Sequence, residues 1–174
     1  MNKPLYDFFT NDHHRLEALL DKATEKKGEV NQEIYHQFRT GLLKHIKMEE
    51  KVLFPAALRA NNGEPLPLAA KLRLDHGAIT SLMVVPPTDD VIKVLRTVLD
   101  QHDELEEAPG GMYDVCEQLT SGETQELLEV LKSTGEVPVH HFNTADYAIA
   151  AAKRALARAG FDFDSIISED SENS

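Results

Sequence analysis

The chain has 174 residues, a length typical of one domain with a substantial core, and none of its apolar runs approaches the roughly 18 residues of a membrane-spanning helix. Its formal net charge of −12 opposes binding to nucleic acid or to anionic membranes, because both need clustered Lys and Arg. Cys116 is the only cysteine, which excludes an intrachain disulfide and leaves nitrogen and oxygen atoms as the ligands of any metal.

Apolar residues recur every three or four positions through most of the chain, and this periodicity predicts an all-α protein. Four long helices are predicted, over residues 5–24, 31–60, 67–84 and 88–108. We expect Pro55 to kink the second helix, because proline has no backbone N–H and its ring clashes with the carbonyl four residues back. Long helices joined by short loops favour an up-down-up-down four-helix bundle, here over residues 1–121.

Additional C-terminal helices are predicted over residues 112–119, 123–132 and 144–159. We expect residues 122–167 to form a helical extension packed on the bundle, and the acidic segment 168–174 to be disordered. The N-terminal residues lack the charged start, apolar stretch and cleavage site of a signal peptide, so a cytoplasmic location is expected.

Two stretches of the chain share one pattern, a His followed by Glu four and five positions later. They begin at His45 and at His102. A spacing of four returns to nearly the same face of a helix at about 100° per residue, so each stretch can direct an imidazole and a carboxylate at one point. This geometry is suited to a metal ligand pair.

Helix wheels separate the two Glu residues of each stretch. In the second helix, Glu49 falls near the centre of the apolar face and Glu50 lies about 100° away. In the fourth helix, His102 is nearly at the centre of the apolar face, Glu106 lies about 40° from that centre and Glu107 lies far from it around the helix. The first Glu of each pair is therefore expected to point inward, where an isolated carboxylate costs several kcal/mol.

The first and third helices each add one inward His. His76 falls within about 50° of the centre of its apolar face and His13 about 75° from its own, whereas His14 lies almost opposite. Asp12 lies closer to the centre than His13, so it is a candidate hydrogen-bond partner of an imidazole or a ligand. The predicted metal site has six residues: His13, His45, Glu49, His76, His102 and Glu106. No inward Lys or Arg is predicted, so a bound cation is the simpler way to neutralise the two carboxylates, and shifted protonation is the alternative.

At these residues the chain resembles the hemerythrin-like, or HHE cation-binding, domains. The matching motifs are Asp12-His13, His45-x-x-x-Glu49-Glu50 with Leu53-Phe54-Pro55 after it, Asp75-His76, and His102-x-x-x-Glu106-Glu107. The resemblance covers residues 5 to 120. Ferritin-like di-iron bundles compete with this interpretation, but they place Glu before His in a Glu-x-x-His order.

The resemblance implies a bundle that encloses two non-haem iron ions, bridged by two carboxylates and an oxo or hydroxo group. Transferred to this chain, it makes Glu49 and Glu106 the bridging carboxylates and the four inward His residues the terminal ligands. Imidazole and carboxylate ligands alone would also suit manganese or zinc, so iron comes from the resemblance.

Two features depart from the family pattern, one in the third helix and one at the end of the fourth. Oxygen-carrying hemerythrins have a second His in the third helix, four residues after the first, where this chain has Thr80. One iron would then lack an imidazole, and water, Asp12, His140 or His141 could take its place. The fourth helix also ends early, because Ala108-Pro109-Gly110-Gly111 follows the ligand pair.

Three functions compete at this point. The leading hypothesis is a di-iron protein that binds or senses O2, NO or peroxide, or sequesters iron, rather than an enzyme. A di-iron peroxidase or oxidase that uses the position left open by Thr80 is the first alternative, and a metal-regulated interaction module is the second. A small diatomic or peroxide ligand is the expected partner, with no nucleic acid and no membrane.

Overall fold

Helices make up the regular structure of the chain, which confirms the all-α prediction. The computed structural model describes residues 2–169, and no strand occurs within them. The helices are α1 Pro4–Ala23, α2 Gln32–Met48, the π-helical turn Glu49–Leu53, α3 Phe54–Ala60, α4 Ala69–Val84, α5 Asp89–Glu107, α6 Met112–Leu119, α7 Thr124–Ser133, α8 Asp146–Ala159 and α9 Phe163–Ser168. None of these helices, within the described residues, is long and apolar enough to cross a lipid bilayer.

The four long helices form the predicted bundle. Helix α1 packs against α2 and α5, and α4 packs against the same two helices, so the four close into a ring. The connections between them are short, which makes consecutive helices antiparallel. The third helix begins at Ala69 instead of residue 67, because the two residues before it form a turn.

The second predicted helix is continuous from Gln32 to Ala60, but its middle is a π-helical turn. Within this turn, the N–H of Phe54 donates to the carbonyl of Glu49, five residues earlier. Pro55 follows directly, and its missing N–H and bulky ring disfavour a regular α-helical register at this point. The expected irregularity therefore takes the form of one widened turn, and Glu49 and Glu50 both lie in it.

A polar layer divides the core of the bundle into two apolar clusters. Along α1, Phe9 belongs to one cluster and Leu16 to the other, with the buried His13 between them. The same division occurs on α2, where the buried His45 separates Leu42 from Met48. Apolar side chains on both sides exclude water from the polar layer, so its charges require partners within the protein or a bound ion.

The C-terminal helices cover the outside of the bundle. Helix α8 packs along α4, and its buried residues are mostly alanines, whose small side chains allow close approach: Ala148, Ala152, Ala155, Leu156 and Ala159. Helix α9 packs against α5, and α7 packs against α1 and the π turn. The segment 168–174, expected to be disordered, lies outside the described residues from residue 170 onward, and its first residue, Ser168, ends α9.

Candidate metal centre

The six residues predicted from the sequence converge in the polar layer, and all are buried. They form two groups that share two carboxylates. The first group is His13, His45, Glu49 and Glu106, and the second group is Glu49, His76, His102 and Glu106. Within each group, one donor atom from every residue lies within 4.8 Å of the others. Two ligands on opposite sides of one ion, each about 2.1 Å from it, are about 4.2 Å apart, so each group has the dimensions of a metal site.

Each shared carboxylate turns one oxygen toward each group. Glu49 Oε1 lies 3.3 Å from Nε2 of His45, and Glu49 Oε2 lies 3.1 Å from Nε2 of His76.

Glu106 repeats this arrangement. Its Oε2 lies 3.5 Å from Nε2 of His13, in the first group, and its Oε1 lies 3.3 Å from Nε2 of His102, in the second group. Both carboxylates are therefore oriented to bridge two neighbouring ions.

A carboxylate stands behind each of the four imidazoles, on the side away from the shared Glu residues. The Nδ1 atoms face these partners: His13 with Glu107 at 2.6 Å, His45 with Asp12 at 2.9 Å, His76 with Glu50 at 2.8 Å and His102 with Asp75 at 3.5 Å. A carboxylate at Nδ1 orients the ring and favours the tautomer that leaves Nε2 free to bind a metal.

The hydroxyl of Tyr113, from α6, lies among the donor atoms of the first group. It is 2.5 Å from Glu49 Oε1 and 2.8 Å from Glu106 Oε2. It is also 3.1 Å from Nε2 of His13 and 3.2 Å from Nε2 of His45. The side chain is 1% exposed, so this phenol lies buried within the polar layer.

The second group contains buried donor atoms that are not satisfied by the protein. Within the described part of the chain, Glu49 Oε2, His76 Nε2 and Glu106 Oε1 have no hydrogen-bond partner, although the first two atoms lie 3.1 Å apart. Each such atom costs about 1–3 kcal/mol when it is buried without a partner. A cation bound by the second group would satisfy all three, so these residues fit a metal ion.

A family model for the hemerythrin HHE cation-binding domain matches residues 5–132. The chain belongs to this hemerythrin family. No curated protein and no solved structure matches the chain significantly. The predicted resemblance is thus confirmed, and membership of a cation-binding family agrees with the two groups of donor atoms in this hemerythrin domain.

Two acidic residues have roles that the helix wheels did not assign, and a third, Asp12, takes the first of the two roles expected of it. Glu50, expected at the edge of its apolar face, hydrogen-bonds the imidazole of His76, and Glu107, expected far from the centre of its own face, hydrogen-bonds that of His13. Asp12 bonds Nδ1 of His45, so it is an imidazole partner and not a member of either donor group. The wheel placed Glu50 with ideal α-helical angles, which do not apply in the π turn, and the side chain contacts His76 of α4.

The other candidates for completing the site lie elsewhere. Thr80 Oγ1 donates to the backbone carbonyl of His76, a bond within α4. His140 and His141 are exposed in the segment before α8, and the carbonyl of His140 accepts a hydrogen bond from Arg39. His14 is exposed on α1, as its position on the wheel predicts.

Tyr113 was not predicted as a site residue. It occupies the apolar side of the short helix α6 and is indistinguishable by pattern from a core tyrosine such as Tyr35. Its position relative to Glu106 depends on the turn at residues 108–111, where Gly110 has a φ of +79°. The available indication was the Pro-Gly-Gly interruption itself, because a chain that reverses there returns toward the helix it has just left.

Protonation balances the charges of the donor groups in the metal-free protein. Burial acts to lower the pKa of His45, but the carboxylates of Glu49 and Asp12 outweigh it and raise the pKa to about 10. His76 likewise has a pKa of about 9, because Glu49 and Glu50 outweigh its burial. Burial acts to raise the pKa of Glu49, but the charged His45 and His76 hold it below its usual range. Burial and the negative charge of Glu49 raise the pKa of Glu106.

A cavity of about 240 Å³ reaches this layer from the side of α1, α2 and α5. Imidazoles of both groups line it: His13 and His45 from the first, and His102 from the second. One part of its wall is apolar, formed by Leu16, Leu20, Phe38, Leu42, Ile46, Ile79 and Leu99, and the rest is formed by the three imidazoles, Arg96 and five acidic residues. The cavity brings open space to the imidazoles of both donor groups of this hemerythrin domain.

Proposed function

We propose that this hemerythrin domain binds two non-haem iron ions, one in each donor group, and uses them to bind a small ligand. The orientation of the shared carboxylates carries the proposal, because Glu49 and Glu106 each direct one oxygen toward each group. The four imidazoles would be terminal ligands, of which three are hydrogen-bonded to a carboxylate at Nδ1 and the fourth, His102, has Asp75 at 3.5 Å.

Iron is proposed over other cations on two grounds. The donor set combines imidazole nitrogen with carboxylate oxygen and includes no thiolate, a combination suited to iron, manganese or zinc. Membership of the hemerythrin family favours iron among these three. Bound iron supplies redox chemistry and an affinity for O2, NO and peroxide.

The class of ligand follows from the cavity and from Thr80. The cavity is small, part of its wall is apolar and five acidic residues line the rest, a combination that favours small uncharged molecules such as O2, NO or hydrogen peroxide over anions. The second group offers four residues, and one turn after His76 the chain has Thr80, whose neutral hydroxyl donates to the His76 carbonyl, in place of a second imidazole. An iron ion with four protein ligands keeps positions open for such a ligand.

The test is metal content followed by ligand titration. The full chain is loaded anaerobically with ferrous iron, and iron per chain is measured by elemental analysis, with two ions expected. NO is then added to the ferrous protein, and new visible absorption is expected. Fewer than one iron per chain after careful loading contradicts the proposal.

A matched pair of variants on α5 locates the iron. Glu106→Ala removes a shared carboxylate and is expected to abolish binding of at least one ion, because both groups use this residue. Glu104→Ala removes an exposed glutamate from the same helix and is expected to retain both ions. Equal iron content in the two variants removes Glu106 from the site.

A di-iron peroxidase or oxidase is the second candidate, and the open positions of the second group favour it. Its test is steady turnover of hydrogen peroxide with an added electron donor. Turnover that disappears on metal removal supports an enzyme, whereas ligand binding without turnover supports a binding or sensing role.

A further inference from the structure

The hydroxyl oxygen of Tyr113 occupies the space of a ligand in the first donor group. Two ligands bound at right angles, each about 2.1 Å from an ion, lie about 3 Å apart. The four distances from the Tyr113 oxygen to the donor atoms of this group are 2.5, 2.8, 3.1 and 3.2 Å. Two of these distances are shorter and two are longer than the spacing of about 3 Å expected of neighbouring ligands on one ion.

The second group has no comparable phenol within the described residues. Its carboxylate oxygens Glu49 Oε2 and Glu106 Oε1 are without hydrogen-bond partners, whereas the opposite oxygens of the same residues both face Tyr113. The two groups use identical residue types apart from this phenol. Tyr113 is therefore the feature that makes the two metal positions chemically different.

Several bonds fix the position of Tyr113. The adjacent Asp114 accepts from the N–H of Gly110 at 3.0 Å and from Lys3 at 2.7 Å. Glu117, one turn further along α6, accepts from two backbone N–H groups in the first turn of α1, at 2.8 and 3.0 Å. Helix α6 is thus tied both to the preceding turn and to α1. A phenol held this firmly is already in place before a metal arrives.

We propose that Tyr113 is a phenolate ligand of the iron ion in the first group, an inference that rests on the proposed di-iron function. When iron binds, the O–H bond of Tyr113 breaks, an iron–oxygen bond forms and the proton passes to the solvent. No electron is transferred in this step. The first ion then has five protein ligands and the second has four, which leaves the second ion with more positions for an external ligand.

The proposal has an optical consequence. A phenolate bound to ferric iron gives a visible charge-transfer band, and resonance Raman excitation within that band enhances the ring vibrations of the phenolate. Imidazole and carboxylate ligands do not give these vibrations. The experiment loads the full chain with ferrous iron, oxidises it in air, and records iron content, visible absorption and resonance Raman spectra.

Tyr113→Phe is expected to retain the fold and to lose both the band and the ring vibrations. Tyr6→Phe is the matched control, because Tyr6 is a neighbouring phenol, but its hydroxyl bonds the backbone carbonyl of Glu107. It is expected to keep the band. If Tyr113→Phe does not fold, the other three of the chain's four tyrosines are replaced one at a time. A band that is retained in Tyr6→Phe, Tyr35→Phe and Tyr147→Phe is then assigned to Tyr113, and a band lost in one of these variants is assigned to that tyrosine.

Failure of this inference is distinct from failure of the proposed function. Two irons per chain without phenolate vibrations, or a band that survives in Tyr113→Phe, overturns the phenolate ligand and leaves the di-iron proposal intact. A chain that takes up no iron overturns both.

Discussion

Nδ1 of His45 on α2 lies 2.9 Å from the Oδ2 atom of Asp12, which directly precedes His13 on α1. The other three pairs follow the same principle. Each imidazole faces an acidic residue next in sequence to a ligand on a different helix: Asp12 beside His13, Glu50 beside Glu49, Asp75 beside His76 and Glu107 beside Glu106. Three of these pairs are hydrogen bonds, and His102 and Asp75 are 3.5 Å apart, so the relative placement of the helices and the geometry of the site depend on each other.

Replacing Asp12 with Asn is expected to weaken metal binding about 10- to 100-fold, because a carboxylate behind a ligating imidazole raises its basicity and fixes its orientation. Isothermal titration with ferrous iron under anaerobic conditions measures the change. Asp7→Asn, on an exposed position of the same helix, is the control and is expected to leave the affinity unchanged. An unaltered affinity in Asp12→Asn would show that the bond to His45 does not support the ligand.

Metal binding is expected to release protons and to strengthen as pH rises. His45 and His76, with pKa values of about 10 and 9, are both protonated at neutral pH in the metal-free protein. Each must lose a proton before its Nε2 can bind an ion, so at least two protons should leave per chain. Titrations at pH 7 in buffers of different ionisation enthalpy count the protons. Binding heats that are independent of the buffer contradict this prediction.

The same two histidines set the pH dependence of the stability of the metal-free protein. Their pKa values in the folded state exceed the ordinary value of 6.5, so the folded state binds more protons than the unfolded state. Their contribution to stability is fully present below about pH 6.5 and is lost as pH rises through 9 to 10. Urea unfolding in the presence of EDTA should show this decline. His45→Gln should flatten it, and an equally steep decline in that variant would assign it to other groups.

Five of the six donor residues could be predicted because they lie in the regular helices α1, α2, α4 and α5, in which a wheel places each side chain. The sixth, Glu49, is the first residue of the π turn and directly follows α2, so the wheel of that helix still places it. The roles of Glu50 and Tyr113 could not be predicted in this way. Glu50 lies in a π turn, where ideal angles of about 100° per residue no longer apply. Tyr113 reaches the site only after the chain reverses at Gly110, and no periodicity within α5 specifies the direction of α6.

Neutralising the two shared carboxylates is expected to change the stability of the metal-free protein by different amounts. Glu49 is ionised between His45 and His76, so Glu49→Gln leaves buried imidazolium charge without its partner and should destabilise the fold by about 3 kcal/mol. Burial and the charge of Glu49 raise the pKa of Glu106 and so favour its neutral form, which the amide of Glu106→Gln resembles, and this variant should lose less stability than Glu49→Gln. Urea unfolding in EDTA compares the two variants. Equal losses of stability contradict the assignment of charge, and both variants should lose bound metal.

Gly111 is expected to be essential for the placement of α6 and hence of Tyr113. A Cβ atom at this position would lie 2.7 Å from the carbonyl oxygen of Leu105 and 2.8 Å from those of Glu106 and Ala108, and backbone oxygens cannot move aside without displacing the end of α5. Gly111→Ala should therefore cost about 1–3 kcal/mol in the free energy of unfolding. Gly122→Ala is the control, since nothing lies within 4 Å of its added Cβ. Denaturant unfolding measures the stability of both variants. Because the displaced helix carries the Tyr113 phenol, the iron-loaded Gly111→Ala protein should also have a weaker visible band than the Gly122→Ala protein.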